Sequence, residues 1–121
     1  MEIEAYRCDK RSAAVVNADK ESIRSGQDAL DLMTTIRYKS GCEAIALNKE
    51  AFAPAFFALG SGLAGEALQK FVNYRVKLAI FGDFTGHKSR PLQDFIRESN
   101  EGQHIFFASD KATALGWLAK S

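Results

Sequence analysis

Three short apolar runs, each followed by a stretch with helical spacing, constrain the fold of this chain more than any other feature. They occupy residues 44–47, 76–81 and 105–108, and Lys77 is the one charged residue within them. Runs that are apolar at consecutive positions are typical of strands whose two faces are both covered. Because strands separated by helices favour parallel neighbours and right-handed crossovers, these runs predict an α/β sheet.

The chain before the first of these runs predicts a hairpin and a helix. Residues 3–7 and 13–16 have strand-like composition on either side of a polar turn, so we expect them to pair. Ser25 is a good N-cap for the helix that follows, and Gly41 is suited to end it. The hairpin would add an antiparallel strand to the parallel sheet.

The rest of the chain supplies further helices. Residues 63–75 have apolar positions along one side, and Pro91 fits the first turn of the next helix. Ser109 or Asp110 is expected to cap a closing helix. Residues 49–57 are ambiguous, and one interpretation is a helical turn that is broken before the proline within them.

The predicted element order is β-β-α-β-α-β-α-β-α, a mixed sheet of about five strands with helices covering it. The 121 residues are predicted to form one domain, residues 1–121. Hydrophobic residues make up 46% and charged residues 26% of the chain, which excludes long disorder. The net charge of +1 gives no field that would attract nucleic acid or an acidic membrane surface.

Location and redox state are predicted from what the sequence lacks. No apolar run approaches the ~20 residues that span a bilayer, and the acidic start does not fit a signal peptide, so we expect a cytoplasmic protein. Cys8 and Cys42 are expected to be free thiols, because reducing compartments disfavour disulfides. The cysteines and histidines lack zinc-ligand spacing, so no metal and no cofactor are predicted.

The carboxyl ends of parallel strands meet at one edge of a sheet, and ligands of open α/β folds bind there. Three segments should meet at this edge: the loop before residues 63–75, the loop at residues 83–90, and the turn at Ser109 and Asp110. A functional site is therefore expected at the carboxyl edge.

The first segment contains a G-x-G-x-x-G pattern formed by Gly60, Gly62 and Gly65. Asp83 follows at the end of the next predicted strand, near the usual distance for an acid that binds a ribose. One interpretation is therefore nucleotide or phosphate binding, and the alternative is that the glycines serve turn geometry and packing. Ser61 is interpreted either as the N-cap of the helix or as the carrier of a phosphate.

The second segment gathers an acid, an imidazole, two cations and two hydroxyls. Asp83, His87, Lys88 and Arg90 could hold an anionic ligand, do acid–base work or contact a partner, and Glu66 on the neighbouring helix could contribute. The alternative is a solvated loop and, for Glu66, a favourable place in the helix dipole. No catalytic residue is assigned.

Residues 63–80, LAGEALQKFVNYRVKLAI, resemble the core of an uncharacterised bacterial family, the domain of unknown function numbered four-one-eight-zero. Residues 30–33, 82–84, 94–98 and 105–107 agree with the same family, so the resemblance covers nearly the whole chain. The G-E-x-L-Q-K-F stretch is the most specific part of it. The family name carries no activity.

The element order also resembles the STAS domain of anti-sigma factor antagonists. In that family a Ser-Gly-Leu sequence opens the helix after the central strand, and its serine is the phosphoacceptor. Ser61, Gly62 and Leu63 stand at the matching place, with Gly60 where those proteins carry an acidic residue. The resemblance implies a STAS-like fold and a phosphoacceptor role for Ser61.

We therefore expect a small regulatory or protein-interaction domain whose partner surface is centred on Ser61 and the second segment. Phosphorylation of Ser61 would switch it. The alternative is a binder of, or an enzyme acting on, a nucleotide or phosphorylated metabolite at the same edge. A homodimer is a further hypothesis, on which the exposure of Tyr74 and Trp117 bears, and no nucleic-acid or membrane partner is predicted.

Overall fold

A computed structural model describes residues 2–8, 11–18, 21–87 and 89–120 of the chain. The strands are β1 (Glu2–Cys8), β2 (Arg11–Asn17), β3 (Ala44–Asn48), β4 (Lys77–Phe81) and β5 (Ile105–Ala108). The α-helices are α1 (Gly26–Ser40), α2 (Pro54–Phe57), α3 (Leu63–Asn73), α4 (Arg90–Glu101) and α5 (Lys111–Ala119). The predicted mixed α/β architecture is confirmed.

The sheet has the order β1-β2-β3-β4-β5, so every strand lies beside its neighbour in sequence. Strands β2 to β5 are parallel, and β1 pairs with β2 in the antiparallel direction. One row of neighbouring residues across the four parallel strands is Val16, Leu47, Ile80 and Phe107. This row is buried on the face that α1 and α3 cover.

The opposite face of the sheet carries smaller side chains. The adjacent row is Val15, Ala46, Ala79 and Phe106. Helix α5 packs on this face and buries Leu118 against it. Alanines form much of the sheet surface beneath α5, so the side chains of that helix pack against short apolar side chains.

Most predicted helix ends are confirmed. The Ser25 hydroxyl accepts the backbone N–H of Asp28, and Gly41 ends α1 in the left-handed conformation with φ of 73°. Asp110, rather than Ser109, caps α5 by accepting the N–H of Thr113. These helix ends could be predicted because capping is local: a cap involves only residues within one turn of the helix end.

Helix α3 ends earlier than predicted. Its last residue is Asn73, and Arg75, which the prediction placed inside the helix, has a φ of 57°. That left-handed conformation stops the helix and turns the chain into β4.

Residues 49–61 differ most from the prediction. A 3-10 turn at Lys49–Ala51 comes first, α2 begins at Pro54 rather than stopping before it, and a second 3-10 turn spans Leu59–Ser61. Proline fits the first helical position because it has no N–H to leave unpaired. A parallel bridge between Ile23 and Phe52 fixes this segment against the chain before α1. None of the helices within the described ranges is long and apolar enough to cross a bilayer.

Candidate functional site

The carboxyl ends of the parallel strands are tied together by a buried asparagine. Asn48 at the end of β3 is only 8% exposed. Its Oδ1 accepts the N–H of Ala18 and its Nδ2 donates to the Ala18 carbonyl oxygen, both over 2.8 Å. Since both polar atoms of the amide are satisfied, Asn48 holds the chain leaving β2 against the end of β3.

Ser61 lies in the turn between α2 and α3, with its side chain exposed. Its hydroxyl donates to the carbonyl oxygen of Ala55 over 2.6 Å and accepts the N–H of Leu63 over 3.2 Å. Gly62 is the N-cap of α3, with φ of 81°, so the interpretation of Ser61 as the N-cap is wrong by one residue. Only glycine adopts that left-handed conformation without strain.

Helix α2 connects the Ser61 turn to the loop after β4. The backbone carbonyl of Ala55 accepts the hydrogen bond from the Ser61 hydroxyl, and Ala55 lies two residues before Phe57 on this single helical turn. The Phe57 ring lies 4.9 Å from the His87 ring and 6.1 Å from the Phe84 ring, measured between centroids. We name the surface formed by α2, the Ser61 turn and residues 82–87 the rim.

Lys49 fastens β3 to the rim. Its Nζ donates to the backbone carbonyl oxygen of Asp83 over 2.7 Å. The same ammonium lies 5.9 Å from the centroid of Phe57 and 5.5 Å from that of Phe84, within the range of cation–π attraction. A cation thus lies beside both aromatic side chains that α2 and the loop contribute.

Asp83 forms a tight turn with Thr85. Its Oδ1 accepts the Thr85 hydroxyl over 2.6 Å and the Thr85 N–H over 2.9 Å. These two bonds, the hydroxyl first, hold the pKa of the Asp83 carboxyl below its ordinary value, and the charges of Lys49 and His87 add to the effect. The carboxylate is therefore ionised at neutral pH.

A cavity of about 530 Å³ opens beside this turn, at the carboxyl ends of β4 and β5. Its apolar lining comes from Phe84, Ile96 and Phe107. Its polar side chains are Asp83, Thr85, Gln93 and Ser109. We name it the rim cavity; it lies at the edge of the sheet where ligands of parallel α/β folds bind.

Glu66 is engaged elsewhere. Its Oε1 accepts the N–H of Gly26, the first residue of α1, over 3.0 Å. A carboxylate at a helix N-terminus satisfies a free N–H and interacts favourably with the helix dipole. The structure therefore places Glu66 between α1 and α3 as a capping group.

The remaining predicted residues are scattered around the rim. Gly60 and Gly65 are exposed, with open space where a Cβ would lie. Arg90 is exposed at the start of α4, and Lys88 lies outside the described residues. Residues 56–59 are not a strand, so the G-x-G-x-x-G pattern lacks the preceding strand that a dinucleotide fingerprint requires.

Several residues of the rim, of its cavity and next to them were not predicted from the sequence. Lys49 follows β3 directly, and its position at the carboxyl end of a predicted strand could have identified it. Phe57 and Gln93 gave no comparable signal, because their places depend on how α2 and α4 pack. Within the ranges that the structure describes, no group of three or more metal-ligating side chains occurs.

Other predicted features lie away from the rim. Cys42 is a buried free thiol, whereas the side chain of Cys8 is outside the described part of the chain. Tyr74 is 56% exposed. Trp117 stacks on Phe106, with the ring centroids 5.0 Å apart. A homodimer stays a prediction.

Comparison with known proteins bears on the family of the chain. No curated protein and no solved structure matches it. The family model described as a domain of unknown function, DUF4180, matches residues 8–118, from the end of β1 into α5. The resemblance predicted from residues 63–80 is thereby confirmed. This chain belongs to the DUF4180 family.

Proposed function

We propose that this chain is a small cytoplasmic regulatory domain with a STAS-like fold, which binds a protein partner through the rim. Phosphorylation of Ser61 switches that binding. The observation that carries the proposal is the hydrogen bond from the exposed Ser61 hydroxyl to Ala55, on the same helical turn as Phe57. A modification at Ser61 therefore acts directly on the helix that presents Phe57 to His87.

Two features support the STAS-like part of the proposal. The parallel strands β2 to β5 follow one another in sequence order. Ser61, Gly62 and Leu63 open α3, the helix between β3 and β4, as the serine motif does in anti-sigma factor antagonists. This likeness concerns the fold and the serine.

Phosphorylation would remove the proton that holds α2 in place. A phosphoserine carries about −1.5 to −2 charges and has no hydroxyl proton to donate. It would repel the Ala55 carbonyl oxygen that Ser61 now contacts over 2.6 Å. The N-terminus of α3, beginning at Leu63, offers free N–H groups and a favourable dipole to the phosphate. The phosphate would turn toward α3, and α2 would lose the hydrogen bond that now joins Ala55 to Ser61.

The test combines phosphate mapping in cells with partner capture. Wild type, Ser61→Ala and Ser61→Asp are used as bait at equal concentration, and Thr34→Asp serves as the matched control. Thr34 on α1 is also exposed, so its substitution adds the same charge outside the rim and the rim cavity. We expect phosphate on Ser61 and a capture that differs about tenfold between the Ser61→Asp and Ser61→Ala baits. If both Ser61 variants capture the same amount of partner as wild type, the proposed phosphorylation switch would be refuted.

The rim cavity favours a second candidate function, the binding of a small ligand or an enzymatic reaction on one. Its volume of about 530 Å³ lies within the ~300–1,000 Å³ that is usual for ligand pockets. Nucleotides and phosphorylated metabolites are the class that the sequence suggested. A thermal-shift screen tests this candidate, since a ligand at 100 times its Kd adds about 2.7 kcal/mol of stability. A screen that is flat for nucleotides and phosphorylated metabolites would exclude this ligand class.

A further inference from the structure

We propose that the rim cavity selects a small organic cation, a protonated amine carried on an apolar body. The proposal rests on the second candidate function, ligand binding at this cavity, but replaces the phosphorylated ligands expected from the sequence with a cation. It follows from which hydrogen-bonding atoms the lining side chains have left to offer.

The two hydroxyls of the lining differ in how firmly their protons are held. The Thr85 hydroxyl donates to Asp83 over 2.6 Å, and an ionised carboxylate only accepts hydrogen bonds, so Thr85 can offer a ligand only its oxygen lone pairs. The Ser109 hydroxyl lies 3.4 Å from Asp110, beyond the usual length of such a bond, so it can accept from a ligand or donate to one.

The two remaining polar side chains also offer acceptors. Gln93 donates one amide hydrogen to the His87 carbonyl oxygen over 3.3 Å, which leaves its Oε1 and one N–H. Asp83 accepts both Thr85 bonds at Oδ1, and its Oδ2 has no hydrogen-bond partner in the described part of the chain. Side-chain acceptors thus outnumber donors around the cavity, so a ligand that donates hydrogen bonds fits it.

The apolar lining can hold the body of such a ligand. Phe84 and Phe107 meet edge to face, with centroids 5.5 Å apart, and Ile96 lies beside them. Aromatic faces attract ammonium groups as well as apolar surface. This combination of an aromatic wall and a carboxylate is suited to a cation with an apolar body.

The formal charge of the cavity decides between a cation and an anion. Asp83 is the one charged residue among the lining residues that the structure describes. The Lys49 ammonium donates to the Asp83 backbone carbonyl oxygen and is not among the lining residues, so it offsets part of the Asp83 charge from outside the cavity. A phosphate in the cavity would face the Asp83 carboxylate and the oxygen lone pairs of Thr85, so we expect this cavity to reject phosphate.

The experiment compares three probes with one apolar body and different charges: phenethylamine, phenethyl alcohol and phenylacetate. Inorganic phosphate is the fourth probe. Binding is followed by the backbone amide NMR shifts of Thr85 and Ser109 in the full chain. The variant Asp83→Asn keeps an acceptor for Thr85 and removes the charge. Asp94→Asn is the matched control, because Asp94 is an acid on α4 outside the cavity lining, paired with Arg97.

We expect phenethylamine to bind most tightly, and Asp83→Asn to weaken it about tenfold while Asp94→Asn leaves it unchanged. Tighter binding of phenylacetate or phosphate than of the amine would overturn the inference while leaving ligand binding at the cavity intact. If none of the four probes shifts the Thr85 and Ser109 amides, both the cation inference and ligand binding at the cavity would be overturned. Equal binding of amine and alcohol in wild type and Asp83→Asn would show an apolar site without charge selection, which also overturns the inference.

Discussion

The side-chain amide of Asn100 on α4 pairs with the backbone of Phe107 on β5 as a neighbouring strand would. Its Oδ1 accepts the Phe107 N–H over 2.7 Å, and its Nδ2 donates to the Phe107 carbonyl oxygen over 3.1 Å. Strand β5 lies at the end of the sheet order, where backbone groups otherwise have no strand to pair with. The side chain of Asn100, on a helix, therefore satisfies the backbone hydrogen-bonding groups of Phe107 at this edge of the sheet.

Replacing Asn100 with alanine should destabilise the protein by about 2–3 kcal/mol, because the N–H and carbonyl of Phe107, a buried residue, lose their partner. The same change should raise aggregation, since it frees a strand edge. Urea unfolding and light scattering measure the two effects. The control is Glu98→Ala, an exposed site on the same helix. Equal stability of the two variants would contradict the role assigned to Asn100.

Gly26 and Glu66 form a second pair whose energies should depend on each other. A Cβ at position 26 would lie 2.7 Å from both Cγ and Oε1 of Glu66, so Gly26→Ala displaces the carboxylate that caps α1. We expect Gly26→Ala and Glu66→Ala each to destabilise the protein by about 1 kcal/mol.

The double variant tests this coupling directly. Once Glu66 is alanine, the contacts that oppose a side chain at position 26 are gone. Gly26→Ala should then be neutral or stabilise the helix by up to about 0.5–1 kcal/mol, since alanine favours helix over glycine. The check is a double-mutant cycle by urea unfolding. Simple additivity of the two single effects would show that the residues act independently.

The Asp83 turn should make stability depend on acid pH. Its Thr85 bonds lower the pKa of the folded carboxyl below the ordinary value of 3.8, so its contribution is present above that value. This contribution is lost as the pH falls below 3.8 and through the folded pKa. Asp83→Asn should therefore be less stable than wild type at neutral pH, and the difference should shrink in acid. A difference that grows in acid would reverse the assigned sign.

The Ser61 hydroxyl should contribute measurably to stability. Ser61→Ala removes both the bond to Ala55 and the acceptor for the Leu63 N–H, and we expect a loss of about 1 kcal/mol. Ser61→Thr keeps the hydroxyl and should recover most of that loss. The midpoint of urea unfolding gives both values. A threonine variant as unstable as the alanine variant would show that the hydroxyl bonds are not the cause.

Sequence reasoning succeeded where the signal was local or periodic. The apolar runs that became β3, β4 and β5 and the caps at Ser25 and Gly41 needed no knowledge of tertiary contacts. Residues 49–61 could not be derived in this way, because short turns there are fixed by the bridge between Ile23 and Phe52. Glu66 was identified as a favourable charge in a helix dipole, but the helix that it caps is α1, not its own.

The sequence predicted where the rim and its cavity lie, but not all of the residues that form them. The rule for parallel strands correctly brought the loop after β4 and the turn after β5 to one cavity. It could not supply Phe57 or Gln93, whose positions depend on packing between elements distant in sequence. The glycine pattern was misleading. Gly62 is explained by its left-handed conformation, and a Cβ at Gly60 or Gly65 would point into open space, so no close packing requires glycine there.

The link from Ser61 through α2 to His87 is tested most directly by NMR of a semisynthetic chain with phosphoserine at position 61. The measurement is the set of nuclear Overhauser effects between the Phe57 and His87 rings, which lie 4.9 Å apart in the unmodified protein. We predict that these effects are present in the unmodified chain and are lost on phosphorylation, while those between Phe106 and Trp117 persist as an internal control. Ring contacts that are unchanged by the phosphate would contradict the account.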